Sequence, residues 1–175
     1  MNNVEIVVSR YNESLDWIKD YPFNEFNYKI YNKGNNNNFF IPCGSESFNL
    51  PNNGRCDQTY FYHIVKNYNN LSNITIFFPG SVDMTNKIKK AKLILKFILS
   101  HNIAIFPVEY CNDICKKFKY FSLDKWDASY VLNKNSSNSK IDKALLRPFG
   151  KWYKYHFGNK SCEYYSINSI FALNK

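Results

Sequence analysis

The sequence predicts an α/β domain of the Rossmann-like kind, a mostly parallel sheet flanked by helices, on three observations. Short β-branched and aromatic runs recur at Val4 to Val8, Asn27 to Tyr31, Ile74 to Phe78 and Ile103 to Val108. Helix-period segments separate several of them, as parallel strands require. Polar residues, Gly or Pro close the first three runs, which fits strands that deliver polar groups to a site at their carboxyl ends. A length of 175 residues suits one domain, 1–175, and the composition, 45% hydrophobic and 18% aromatic, excludes a disordered chain.

Val4-Glu5-Ile6-Val7-Val8 reads as a buried strand ending at Ser9-Arg10-Tyr11-Asn12. Leu15 and Ile18, with Trp17 beside them, predict a helix over Glu13 to Asp20, for which Asn12 is the candidate N-cap. Asn27 to Tyr31 alternates weakly and enters an Asn-rich surface loop after Asn32-Lys33-Gly34. A polar segment then leads to a second helix beginning near Asp57, with Tyr60, Ile64, Val65 and Tyr68 at helical spacing. Ile74 to Phe78 is the clearest strand, stopped by Pro79-Gly80.

From Asn86 to Ser100 an apolar stripe of Ile88, Ala91, Ile94, Leu95 and Ile98 faces away from Lys89, Lys92 and Lys96. That lysine row is what any solvated helix face shows. Ile103 to Val108 reads as a further strand, Asn133 to Ser139 as a loop and Tyr164 to Leu173 as a late strand. The sequence contains no internal repeat, membrane span or coiled-coil heptad.

A formal charge of +9 favours anionic partners. Nucleic acid is disfavoured, since no helix-turn-helix, zinc-finger or ribonucleoprotein motif accompanies the charge. Five cysteines without a C-x-x-C pair and a first segment lacking an apolar leader predict reduced thiols and a soluble cytoplasmic protein. Cys111 and Cys115 lack the second ligand pair that zinc spacing demands, and His63, His101 and His156 are scattered.

Ser9-Arg10-Tyr11-Asn12-Glu13, Asn53-Gly54-Arg55-Cys56-Asp57-Gln58-Thr59-Tyr60, Phe77-Phe78-Pro79-Gly80 and Arg147-Pro148-Phe149-Gly150-Lys151-Trp152-Tyr153 stand in an order that resembles an uncharacterised family of short glycosyltransferase-like proteins. Tyr11-Asn12-Glu13 is also similar to the start of the nucleotide-binding A-type glycosyltransferase fold, and the Gly-Arg-x-Asp element resembles one in glycan-polymer transferases. The resemblance implies transfer of a sugar from a nucleotide-sugar donor, UDP-type favoured, to a glycan or protein acceptor. The alternative is a non-catalytic nucleotide- or glycan-binding domain of the same fold. The chain ends soon after the matching Phe171, so a carboxyl-terminal truncation is part of the expectation.

Such chemistry needs a carboxylate to take the acceptor's proton and positive charge, or a metal, for the departing diphosphate. Asp57 and Asp83 are the candidate catalytic carboxylates. Ser9, Arg10, Tyr11, Asn12, Glu13, Asn32, Gly54, Arg55, Thr59, Gly80, Arg147 and Trp152 are the candidate substrate-binding residues. Manganese or magnesium is the candidate cofactor, although Phe78-Pro79-Gly80-Ser81-Val82-Asp83 replaces the Asp-x-Asp metal motif and leaves the ligands unknown. For several residues a structural role stands beside the functional one. Asp57 and Asn12 suit helix caps, Arg55 suits an ion pair with Asp57, and Gly80 suits a turn.

Overall fold

The computed structural model describes residues 4–104, 109–110, 118–119, 145–160, 164–165 and 169–175. The chain groups into two compact units, Met1–Pro107 with Ser166–Lys175, and Val108–Tyr165.

The first unit is an α/β structure built on a five-stranded sheet. Its strands are β1 (Val4–Arg10), β2 (Asn27–Asn32), β3 (Glu46–Asn49), β4 (Ile74–Pro79) and β7 (Phe171–Asn174), in the order β3-β2-β1-β4-β7. The first four are mutually parallel, and β7 joins the β4 edge antiparallel. Register pairs Ile6 with Tyr28 and Ile76, and Val7 with Lys29 and Phe77, so alternate residues of the three central strands share a face.

One face carries Ile6, Val8, Tyr28, Ile30, Ile74, Ile76 and Phe78, covered by helix α2 (Thr85–His101) and two short 3-10 turns, Asp16–Lys19 and Phe23–Glu25. Trp17 meets Phe23, Tyr28 and Phe78 edge-on at 5.1 to 6.3 Å between centroids, each contact adding about 1 kcal/mol to the burial of the rings. The other face carries Val7, Tyr31 and Phe77 against Tyr60 and Ile64 of helix α1 (Arg55–Lys66). Burial on both sides explains why β1 and β4 read as continuous apolar runs rather than alternating ones.

The sequence misjudged the connection after β1. Instead of a helix over Glu13 to Asp20, Leu15 adopts a left-handed conformation at φ 62° and a single 3-10 turn follows. Leu15, Trp17 and Ile18 are all buried, and packing three neighbouring side chains at once outweighs helical periodicity. Asn12 caps nothing there, because its Oδ1 accepts the Asn36 amide at 3.3 Å. Strand β3 went unread because all four of its residues are exposed and leave no alternation to detect. The late strand is confined to Phe171–Asn174, with a separate two-residue strand at Tyr164–Tyr165. Most of the expected strand at Ile103 to Val108 and the Asn133 to Ser139 loop lie outside the described residues.

In the second unit, β5 (Glu109–Tyr110) pairs antiparallel with β6 (Tyr164–Tyr165), and helix α3 spans Phe149–Phe157. Gly150 packs on the Lys119 backbone, where an added Cβ would stand 3.0 Å from its Cα.

Candidate functional site at the carboxyl ends of the strands

The chain lays β2 and β3 on one side of β1 and then returns to place β4 on the other. Sheets of this kind bind ligands outside the carboxyl ends at that reversal, here the ends of β1 and β4. The Gly80 amide donates to the Ser9 carbonyl at 2.7 Å, and Trp17 Nε1 donates to the Gly80 carbonyl at 2.9 Å, which fixes this junction. Gly80 is absent from the positive-φ glycines, so the turn itself does not demand glycine. Close approach does: a Cβ there would lie 2.7 Å from Glu13 Oε2 and 3.2 Å from Arg10 Cα.

Arg10 and Asn32, paired in register across β1 and β2, bind each other. Arg10 is fully buried. Its Nη1 donates to Asn32 Oδ1 and the Asn36 carbonyl, both at 2.6 Å, its Nε donates to the Glu13 carbonyl at 2.6 Å, and Phe39 covers the guanidinium at 4.0 Å. Burial pushes the Arg10 pKa down while Glu13 opposes the shift. Asn32 is buried too, and its Nδ2 donates to the Gly34 carbonyl (3.1 Å) and Asn37 Oδ1 (2.8 Å). The pair therefore organises the Asn-rich loop that follows β2.

Tyr11 and Asn12 are presented differently. Glu13 Oε2 accepts both of their amides, at 2.7 and 3.1 Å, and Gly34 closes on the Tyr11 carbonyl, where a Cβ would stand only 1.6 Å away. The backbone is held on both sides while the Tyr11 side chain stays 46% exposed. An exposed aromatic ring carried on a held backbone at a strand end offers a surface for stacking.

Helix α1 begins at two successive left-handed residues, Gly54 (φ 56°) and Arg55 (φ 53°). Lys33 holds that start. Its Nζ donates to the carbonyls of Asn53 (2.5 Å) and Arg55 (2.6 Å) and to Gln58 Oε1 (2.9 Å), so the ammonium's three donors meet three acceptors. Burial pushes its pKa down. Gly54 takes the cap position expected of Asp57, which stands instead in the first turn, where a carboxylate complements the helix dipole. Arg55 and Asp57 are both exposed, and no ion pair joins them. Thr59 is fully buried and meets Ser9 at 2.9 Å between hydroxyl oxygens, tying α1 to β1.

Beyond β4, Val82 is buried, Asp83 is exposed, and Lys87 Nζ donates to Ser81 Oγ at 2.7 Å. Burial pushes the Lys87 ammonium down, and Cys56, Glu13 and Asp83 within electrostatic reach pull it back. Burial pushes the Cys56 thiol up. Glu13 and Asp83 thus lie within electrostatic reach of Lys87, and Asp57 within reach of Cys56 at the start of α1. Arg147 and Trp152 belong to the second unit. Arg147 precedes α3, and Trp152 stacks on Phe149 at 5.8 Å.

Sequence reasoning passed over Lys33 and Lys87. Lys33 carries no sequence signal, whereas Lys87 precedes Ala91, Ile94 and Ile98 on the buried stripe of α2. A lysine continuing an apolar stripe past the end of a sheet was the available clue. Among the described residues no three His, Cys, Asp or Glu side chains gather as a group that could hold the expected divalent cation. The chain matches no family model, no curated protein and no solved structure.

Proposed function

We propose that the first unit binds a nucleotide-sugar at the ends of β1 and β4 and transfers its sugar to an acceptor hydroxyl, as an A-type glycosyltransferase does. The observation that carries this reading is Tyr11, an exposed ring on a backbone fixed by Glu13 and Gly34 beside the strand-order reversal. The base stacks on Tyr11 beside Asn12, and the donor extends across Gly80 toward Arg55, Lys87 and the two exposed carboxylates. Asp57 or Asp83 takes the acceptor's proton as the new bond to the sugar forms.

Calorimetric titration with uridine, guanosine and thymidine diphosphates and their sugars tests the reading. One base class, uridine favoured, is expected to bind saturably. Tyr11→Ala should weaken it by about tenfold or more, in line with loss of one stacking contact. Asp57→Ala or Asp83→Ala should preserve binding and slow turnover by a factor of about 10² to 10⁴. Absence of binding by every nucleotide would overturn the proposal. Among the described residues no ion pair holds Asp57 or Asp83, which favours a second reading, a binding domain without turnover. Tight donor binding with no sugar released or transferred would select it.

A further inference from the structure

We infer that Lys87 takes the place of a divalent cation, so that the nucleoside diphosphate is bound and released without metal; the inference rests on the nucleotide-sugar reading above. Lys87 lies one turn before Ala91 on the stripe that continues through Ile94 and Ile98, all three of which are buried against the sheet. The same stripe directs Lys87 inward, past the end of β4, while Lys89 and Lys96 stand exposed on the opposite side of the helix. Its ammonium donates to Ser81 Oγ at 2.7 Å, immediately after Gly80, where an added Cβ would meet the Glu13 carboxylate and Arg10 Cα.

The surrounding acids do not neutralise it. Glu13 is engaged by the Tyr11 and Asn12 amides, Asp83 is exposed, and no described carboxylate lies within ion-pair distance of Lys87. A partly desolvated cation that no described carboxylate pairs directly retains the capacity to bind an anion. These acids also fail to form a metal-ligand group among the described residues, and the cation in their midst is a lysine.

In the transfer step, the bond between the anomeric carbon and the diphosphate oxygen breaks with its electron pair left on that oxygen. The acceptor oxygen supplies the pair for the new bond and gives its proton to a carboxylate. Charge therefore accumulates on the diphosphate, where the Lys87 ammonium stabilises it by a charge-assisted hydrogen bond.

The test titrates uridine and uridine diphosphate into wild type, Lys87→Met and Lys87→Arg, each with excess EDTA and again with excess manganese, after thermal melts confirm that the variants fold. Uridine diphosphate is expected to bind wild type equally in EDTA and manganese. Lys87→Met should weaken the diphosphate by about ten- to a hundred-fold, leave uridine unchanged, and be largely rescued by Lys87→Arg. Diphosphate binding that requires manganese, or that is indifferent to Lys87→Met, overturns the inference while leaving the nucleotide reading intact. Failure of both ligands to bind in every arm removes the reading and the inference together.

Discussion

The Tyr31 hydroxyl lies 3.0 Å from His63 Nδ1, and the opposite nitrogen of that imidazole lies 3.4 Å from Glu5 Oε1, within ion-pair reach but without a hydrogen bond, so a buried polar cluster joins β2, α1 and β1. Lys29 reaches the other Glu5 oxygen at 3.3 Å, and Asn67 closes on His63 from the end of α1. His63 is fully buried and Tyr31 nearly so, with burial pushing the Tyr31 hydroxyl up to about 12. The cluster lies between β1, β2 and α1 and is closed to solvent.

Its pH dependence follows from Glu5. Burial pushes this carboxyl up, but His63 and Lys29 outweigh burial and leave it below its ordinary value of 4.5. A depressed carboxyl stabilises the fold above its unfolded pKa and loses that contribution as pH falls through the folded one. Urea unfolding of wild type and Glu5→Gln should thus differ above the ordinary carboxylate value of 4.5 and converge as the pH falls below it, through the depressed folded value. A gap that stays constant over that range would contradict the assignment.

Gly34→Ala is expected to be among the most damaging single-methyl changes. The added carbon would fall 1.6 Å from a backbone oxygen, that of Tyr11, which no rotamer change relieves. A loss of about 3 kcal/mol, the upper range for overpacking, should appear in denaturant unfolding. A loss below about 1 kcal/mol would show that the loop and the Tyr11 segment are not locked together.

Gly80→Ala should be milder for stability and harsher for ligand binding. Its nearest obstacle is the Glu13 carboxylate, a side chain that moves at the expense of its bonds to the Tyr11 and Asn12 amides. The expected destabilisation is about 1 to 2 kcal/mol. If the Tyr11 surface binds the base, affinity falls as its support loosens; unchanged nucleotide affinity would detach Glu13 from the site.

Lys33→Met removes the ammonium that gathers the Asn53 and Arg55 carbonyls and Gln58. A stability loss of about 2 kcal/mol is expected, with amide exchange accelerated first at the start of α1. Uniform acceleration across the sheet would argue against a local clamp.

Local sequence determined the central strands. Val4 to Val8 and Ile74 to Phe78 are β-branched or aromatic at nearly every position, and such runs form buried parallel strands in many contexts. Helix α2 was equally legible from its apolar stripe, and the polar strand ends singled out Arg10, Asn32 and Gly80 as substrate-binding candidates without showing what each would touch. Their roles were decided by tertiary structure. Arg10 turns inward because register sets it beside Asn32, Gly80 is glycine because Glu13 folds over it, and Lys87 meets Ser81 because its place on the helix's buried stripe brings it to the residue after β4's closing turn. Spacing along the chain encodes which face a residue occupies, but the partner waiting on that face comes from another strand or helix, and only the packed sheet brings the two together.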